Sequence, residues 1–382
     1  MESLKINFLL YSMERTGGVR VILNFARRLH ERGHGVTLVT GRRSAWFSLP
    51  KDLSIRARPG LTYLAHLAIQ RKWKYSIPRE IGYLERLGAK LPPADVNVAT
   101  FSTTVYPVTL RSAQVTPFHH MQHMETLFAK SPTELGFIRA SYFVPAYRVA
   151  NSRWLADRYY DLTQQRVPVL NAAVEHEVFH PQKGETKPHN EFRIVALAKG
   201  GWKNIDTVIQ VVKKLRAEYA PRIDIRLKLF GGSRAYVPLR ESWVEYCRGY
   251  SDDQLAALYS SSDVEITASF AESFPLPPLE AMACGCPVIT TPYGTEDYAR
   301  DSDNCLIVPP NDPSALSSAL HRLLDDGSLG ERLSSNGLAT AARFNYDDQT
   351  KLYEASLREA IAQHSQEQNN LKSVFDRYLI PV

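Results

Sequence analysis

Twice along this 382-residue chain the same order recurs: a short apolar run, a turn, an amphipathic stretch and another apolar run. In the first half, Leu4–Leu10 reads as a strand and Thr16-Gly17-Gly18 as a turn. Val19–Arg32 then reads as a helix with Val19, Ile22, Leu23, Ala26 and Leu29 on one face. Gly33-His34-Gly35 closes that helix, and Val36–Thr40 is the next strand. Val96–Thr100, Val115–Met121 and Tyr147–Ala150 continue the strands, and Asn151-Ser152 caps a helix over Arg153–Tyr160. The rhythm restarts with a strand at Phe192–Leu197, a helix at Ile205–Tyr219, and strands at Ile223–Phe230 and Val264–Thr267. Strands separated by helices run parallel, with helices covering the sheet faces. The fold class is therefore α/β, built twice.

The length suits two domains of ordinary size. The polar, proline-containing run Pro181–Asn190 marks their separation; the domains are set at 1–178 and 179–345, with a helical tail over 346–382. No run approaches the roughly 18 apolar residues that span a bilayer. The apolar stretch Ile6–Tyr11 is too short for a secretory leader. Cys247, Cys284, Cys286 and Cys305 lack metal-ligand spacing and read as thiols in a reducing compartment, the cytoplasm. Charge is unevenly spread: residues 1–178 hold 24 Lys and Arg against 13 Asp and Glu. Such a basic half suits an anionic partner: a membrane surface, a phospholipid-linked acceptor or an acidic glycan. Arg71-Lys72-Trp73-Lys74-Tyr75, with Arg79, interleaves cations and aromatics as an interfacial segment does, and a solvated basic face gives the same pattern; the first reading makes the cytoplasmic chain peripheral on the inner face of a membrane. No nucleic-acid-binding motif accompanies the charge.

The chemistry concentrates in Ser269–Thr291, SFAESFPLPPLEAMACGCPVITT. Glu272 and Glu280 stand eight positions apart, the first on a loop and the second within a helix that ends at Cys284-Gly285-Cys286-Pro287. Carboxylates so placed can grip vicinal hydroxyls at the mouth of a strand–loop–helix unit. A helix-start acid with a surface Glu further on gives the same spacing, so the surrounding sequence has to decide.

That surrounding sequence resembles family 4 glycosyltransferases, retaining enzymes of the GT-B fold, whose pattern is E-G-F-G-x-x-x-x-E followed by A-M-A-x-G-x-P-V. Glu272, Phe274, Glu280, Ala281, Met282, Ala283, Gly285, Pro287 and Val288 match, whereas Ser273 and Pro275 replace the two glycines. Pro275 has no N–H to offer a donor sugar. The resemblance implies two Rossmann-like, doubly wound domains facing across a cleft. The stretch from Gly17-Gly18 to Thr40 is similar to the family's opening unit, whose glycine loop contacts the donor diphosphate or the acceptor. Lys199-Gly200-Gly201-Trp202-Lys203 stands where the family places an Arg and a Lys for the diphosphate. In Phe118-His119-His120-Met121-Gln122-His123-Met124-Glu125, strand alternation separates the histidines and argues against a metal site. By resemblance Gln122-His123 lies near the donor sugar, with His120 the alternative.

The resemblance thus implies a metal-independent transferase taking a nucleotide-diphosphate sugar as donor substrate, with no cofactor. Its acceptor would be a glycan, a lipid-linked sugar or a small molecule, in cell-surface polysaccharide or glycolipid assembly. The expected catalytic set is Glu272, Lys199, Lys203 and His123. The expected donor contacts are Gly17, Gly18, Gln122, Ser273, Phe274, Leu276, Glu280 and Tyr250. Lys199 and Lys203 would stabilise the departing diphosphate, Glu272 would hold sugar hydroxyls, Glu280 the ribose, and the Tyr246–Tyr250 loop the base. No side chain offers a covalent nucleophile, so transfer proceeds on the front face with retention. A hydrolysing nucleotide-sugar epimerase does not match Glu272–Val288, and a dehydrogenase needs a dinucleotide fingerprint that is absent. The remaining alternative is a catalytically silent GT-B subunit that binds a glycan or a partner enzyme.

Overall fold

The computed structural model describes residues 2–41, 49–57, 88–109, 115–183, 187–199, 201–231 and 241–364. The basic-aromatic segment Arg71–Tyr75 and Arg79 lie outside the described residues. By internal contacts the chain forms two units, Met1–Asn171 with Tyr346–Val382, and Ala172–Asn345.

The first unit carries strands β1 (Lys5–Leu10), β2 (Gly35–Thr40), β3 (Ser54–Ala57), β4 (Val96–Ala99), β5 (Thr116–Met121) and β6 (Tyr147–Ala150). They form one sheet in the order β3-β2-β1-β4-β5-β6, parallel throughout. Its helices are α1 (Gly17–Glu31), α2 (Ser102–Thr109), α3 (Pro132–Ser141), α4 (Arg153–Thr163) and the returning α10 (Tyr346–Gln363). Helix α1 starts two residues earlier than its apolar periodicity suggests. Thr16 is its N-cap, accepting from the Val19 N–H at 3.3 Å, so Gly17 and Gly18 form its first turn. Helix α10 lies against α1 and β5. Its fully buried Tyr353 meets Phe8, Phe25 and Phe118 at ring separations of 5.9, 4.8 and 5.7 Å. Glu354, one residue on, takes Arg32 and Arg358 at 2.8 and 2.9 Å.

The second unit repeats the plan with β7 (Glu191–Leu197), β8 (Asp224–Phe230), β9 (Val244–Cys247), β10 (Val264–Thr267), β11 (Val288–Thr290) and β12 (Leu306–Ile307). The order is β12-β11-β10-β7-β8-β9, again parallel. Helices α5 (Ile205–Tyr219), α6 (Asp252–Ser260), α7 (Leu276–Ala283), α8 (Pro313–Asp325) and α9 (Gly327–Ala341) accompany the sheet. Its core joins Ile194 and Ala196 to Val208 and Val212 of α5, Leu227 and Leu229, Ile266, Ile289, and Leu316 and Leu320 of α8. Ser251 and Gln254 close α6 with a reciprocal capping box. No disulfide joins the four cysteines, all of which are buried.

Each sheet is wound outward from its first strand in two directions, so each has one place where the winding reverses. In the first it lies between β1 and β4, and in the second between β7 and β10. Loops leaving the carboxyl ends of strands diverge there, and open α/β sheets bind their ligands in the resulting crevice.

Candidate functional site

Three expected residues gather at the reversal point of the second sheet. The loop leaving β7 carries Lys199 and then a single 3-10 turn, Gly201–Lys203. That turn is bracketed by two residues of positive φ, Gly201 at +66° and Asn204 at +56°. Glycine takes that region without strain, and Asn tolerates it better than most side chains do. Asn204 is also the N-cap residue of α5, and its side chain accepts from the Thr207 hydroxyl at 2.8 Å. The bend is thereby fixed, and Lys203 is presented at the sheet edge rather than carried into the helix. The ammonium of Lys203 pairs with Oε1 of Glu272 on the loop leaving β10. Lys199 lies with its ammonium 4.6 Å from the centre of the Trp202 ring, and the Phe270 N–H donates to the Trp202 carbonyl at 2.7 Å, tying the two loops together. Burial pulls the Lys199 ammonium below the usual lysine range, Lys203 pushes the same way, and Glu272 opposes. Two cations and one carboxylate are therefore brought together, and Lys203 lines a small pocket with Thr267, Ser269, Pro275 and Pro277.

The motif after Glu272 builds the wall of this site. Ser273 is buried, and Phe274 spends its ring on Tyr298 and Phe344, at 5.4 and 5.9 Å. Pro275 is the N-cap residue of α7, and its carbonyl accepts from the Tyr298 hydroxyl at 2.9 Å. Leu276, Pro277 and Pro278 fill the first turn of α7, where missing N–H groups cost no helical hydrogen bond. Glu280 is buried within the same helix. Tyr250 sits on the loop leaving β9, at the carboxyl edge of the same sheet, just before the Ser251 cap.

Gly294 was not legible as a site residue. It has φ +73°, and a Cβ there would fall 2.7 Å from the carbonyl carbon and oxygen of Glu272 and from the carbonyl carbon of Ser273. The loop leaving β11 therefore buttresses the Glu272 peptide from behind. The sequence signal was the Pro292-Tyr293-Gly294 turn, which reads as punctuation until its contact is known.

The reversal point of the first sheet brings together Gly18, Gln122 and Thr100. A Cβ on Gly18 would lie 3.0 Å from Oε1 of Gln122, and Nε2 of Gln122 reaches the Thr100 carbonyl at 3.4 Å. Gly17 is the first residue of α1, where helix N–H groups lack partners. His123 packs edge-on against Phe128 at 4.5 Å and near Trp154 at 6.1 Å. His120 faces the core, with Nδ1 3.2 Å from the Tyr353 hydroxyl, and burial drives its imidazole down to about 3. It packs as a neutral residue against Tyr353. Glu125, two residues past His123, accepts the Ser102 N–H at the start of α2 through both carboxylate oxygens, at 3.2 and 3.0 Å. Burial raises its carboxyl to about 8, although those hydrogen bonds pull the other way. Among the described residues no three His, Cys, Asp or Glu side chains are placed to hold a metal ion, and no helix is long and apolar enough to cross a membrane.

Comparison with known proteins supplies what geometry alone does not. The sequence model of the glycosyl transferases group 1 family matches residues 191–326, the segment that holds Lys199, Lys203, Glu272 and Glu280. Over that segment the chain is similar to that family. It is 29% identical over 182 residues to an MMP alpha-(1->4)-mannosyltransferase of Mycolicibacterium hassiacum, an alignment covering 46% of this chain and 44% of that protein. It is 32% identical over 155 residues to the O-antigen chain mannosyltransferase B of Escherichia coli, covering 39% and 40%. The chain thus spans less than half the length of these two curated relatives. Among solved structures, Anabaena HepE in complex with UDP-glucose superposes with a TM-score of 0.70 at 17% identity, covering 93% of this chain and 100% of that one. Two Rossmann-like units with parallel sheets match the GT-B fold of these structures.

Proposed function

We propose that this protein transfers a sugar from a nucleotide-diphosphate donor to a glycan, lipid-linked or small-molecule acceptor, with retention at the anomeric carbon. The observation that carries the reading is the convergence of Lys199, Lys203 and Glu272 at the reversal point between β7 and β10. Breaking a sugar–phosphate bond puts negative charge on the leaving diphosphate. Two fixed ammonium groups stabilise that charge without solvent reorganisation. Lysine neutralises phosphate as a point charge and lacks the bidentate grip of arginine. Glu272 exchanges its ion pair for sugar hydroxyls as the diphosphate takes over Lys203. Glu280 is assigned to the ribose and the Tyr250 loop to the base. In the first unit, Gly17, Gly18, Gln122 and His123 form the surface assigned to the transferred sugar and its acceptor. Polysaccharide assembly is favoured by the resemblance to an O-antigen chain mannosyltransferase.

The test is to incubate the enzyme with UDP-, GDP- and dTDP-sugars and a panel of acceptors, and read the product linkage by NMR. Retained configuration supports the mechanism, and inverted configuration rejects it. Binding of nucleotide diphosphates without turnover on any acceptor would leave the silent-subunit reading standing in its place. The basic balance of residues 1–178 supports a reaction at an anionic membrane surface. Equal sedimentation with neutral and anionic vesicles would reject that placement.

A further inference from the structure

Behind the Lys203–Glu272 pair lies an acid that neither the fold nor the donor site uses. Glu265 is the second residue of β10, fully buried, with Val195 of β7 and Val288 of β11 as its register partners. Interior strands of parallel sheets are buried on both faces and ordinarily apolar there, as Val264 and Ile266 on either side illustrate. Its Oε1 accepts from the Thr267 hydroxyl at 2.7 Å, and its Oε2 is buried without a hydrogen-bond partner. Thr267 and Lys203 line the same small pocket, so Glu265 stands one hydrogen bond behind the pocket wall. Three groups act on it electrostatically: the Lys203 ammonium, the Cys286 thiol and the Tyr298 phenol. Tyr298 is committed to the Pro275 carbonyl and Cys286 to the carbonyls of Ser262 and Pro287, whereas Lys203, beside Thr267 in the pocket lining, has further N–H groups to offer Oε2. Burial raises the carboxyl to about 8, against the pull of Thr267 and Lys203. In the protonated form that burial favours, Oε2 lacks a partner, and an ammonium arriving in another state supplies one while its charge draws the carboxyl toward ionisation, the proton leaving to solvent.

We propose that Glu265 is a positioning residue for Lys203, taking an ammonium N–H on its Oε2 when Glu272 leaves Lys203 to hold the donor sugar. This rests on the donor-site reading above. The ammonium has three N–H donors on a flexible four-carbon stem. Held by Glu265 from behind, it keeps its place against the diphosphate after its resting partner has moved.

The test compares Glu265→Leu and Glu265→Gln with the wild type, measuring UDP, GDP and dTDP binding by calorimetry, kcat and donor KM, and thermal melting. Leucine removes the acceptor together with the orphan atom. The expectation is kcat down about tenfold, donor KM within about threefold, and a melting temperature equal or higher. Glutamine keeps an acceptor for Lys203 and the Thr267 bond, and is expected to recover kcat to within about threefold of wild type. Leucine with full kcat overturns the proposal, and so do both variants losing melting temperature and kcat in step, which is the mark of a structural residue. If the wild type binds none of the three nucleotides, the donor-site reading itself fails and this inference with it.

Discussion

Lys203 and Glu272 are joined in the resting protein, yet the proposed chemistry needs each of them to face the donor. Their loops must therefore be stiff enough to hold the pair and loose enough to let it open. Gly294 sets the first of these. Its absent Cβ is what lets the loop leaving β11 approach the Glu272–Ser273 peptide, since a Cβ there would lie 2.7 Å from the Glu272 carbonyl oxygen. Gly294→Ala forces the Glu272–Ser273 peptide to move and also places a Cβ at positive φ. We expect kcat to fall at least about tenfold while far-ultraviolet circular dichroism stays native; undiminished turnover would show that the loop adapts. Glu265 gives this scale a pH signature as well. Its carboxyl is raised from 4.5 to about 8, so the folded state holds a proton that the unfolded chain releases. Its contribution to stability is complete below pH 4.5 and is lost as pH rises toward 8. Urea melts across that window should therefore slope downward less steeply in Glu265→Gln than in the wild type; parallel slopes would contradict the assignment. The gathering of Lys199, Lys203 and Glu272 was legible because it is carried by spacing along the chain. Glu265 and Gly294 were not, because each acts through a neighbour brought from another strand.

At the scale of elements, helix α10 is the clearest case of a segment whose stability is tertiary. Its own sequence is only moderately amphipathic, but Tyr353 is buried among Phe8, Phe25, Phe118 and His120. Tyr353→Ala should cost the first unit about 3–5 kcal/mol, the range for emptying a large aromatic site; urea denaturation reads this directly, and a loss below about 1 kcal/mol would mean that the helix docks through its charges instead. Those charges carry a pH signature of their own. Burial alone would raise the Glu354 carboxyl, but hydrogen bonds from Arg32, Arg358 and His34 outweigh it and hold the group at about 2. This clamp is intact above pH 4.5 and is lost as pH falls through about 2. Glu354→Gln should therefore unfold with less acid sensitivity over that window, and unchanged acid sensitivity would remove Glu354 from the clamp. Strand and helix positions were readable to within a residue or two wherever apolar periodicity was strong, as in β10 and α5. Gly17-Gly18 was misread as a turn because glycine has low helix propensity. The Thr16 cap and the Gln122 side chain packed over Gly18 override that propensity.

For the whole molecule, the repeated α/β rhythm was enough to give two units, and parallel topology then dictated where each would bind a ligand. The reversal points of both sheets carry the expected residues: Gly18 and Gln122 in one unit, Lys199, Lys203 and Glu272 in the other. What the linear pattern did not convey was that Lys203 and Glu272 would be found paired with each other. The central claim is that the crevice between β7 and β10 binds a nucleotide diphosphate through Lys203. Isothermal titration of UDP, GDP and dTDP into the wild type and into Lys203→Met tests it most directly. The account predicts that at least one nucleotide binds the wild type and binds the variant at least about tenfold more weakly, the loss of one charge-assisted phosphate contact. Equal affinity for both proteins, or no binding of any nucleotide to the wild type, contradicts it.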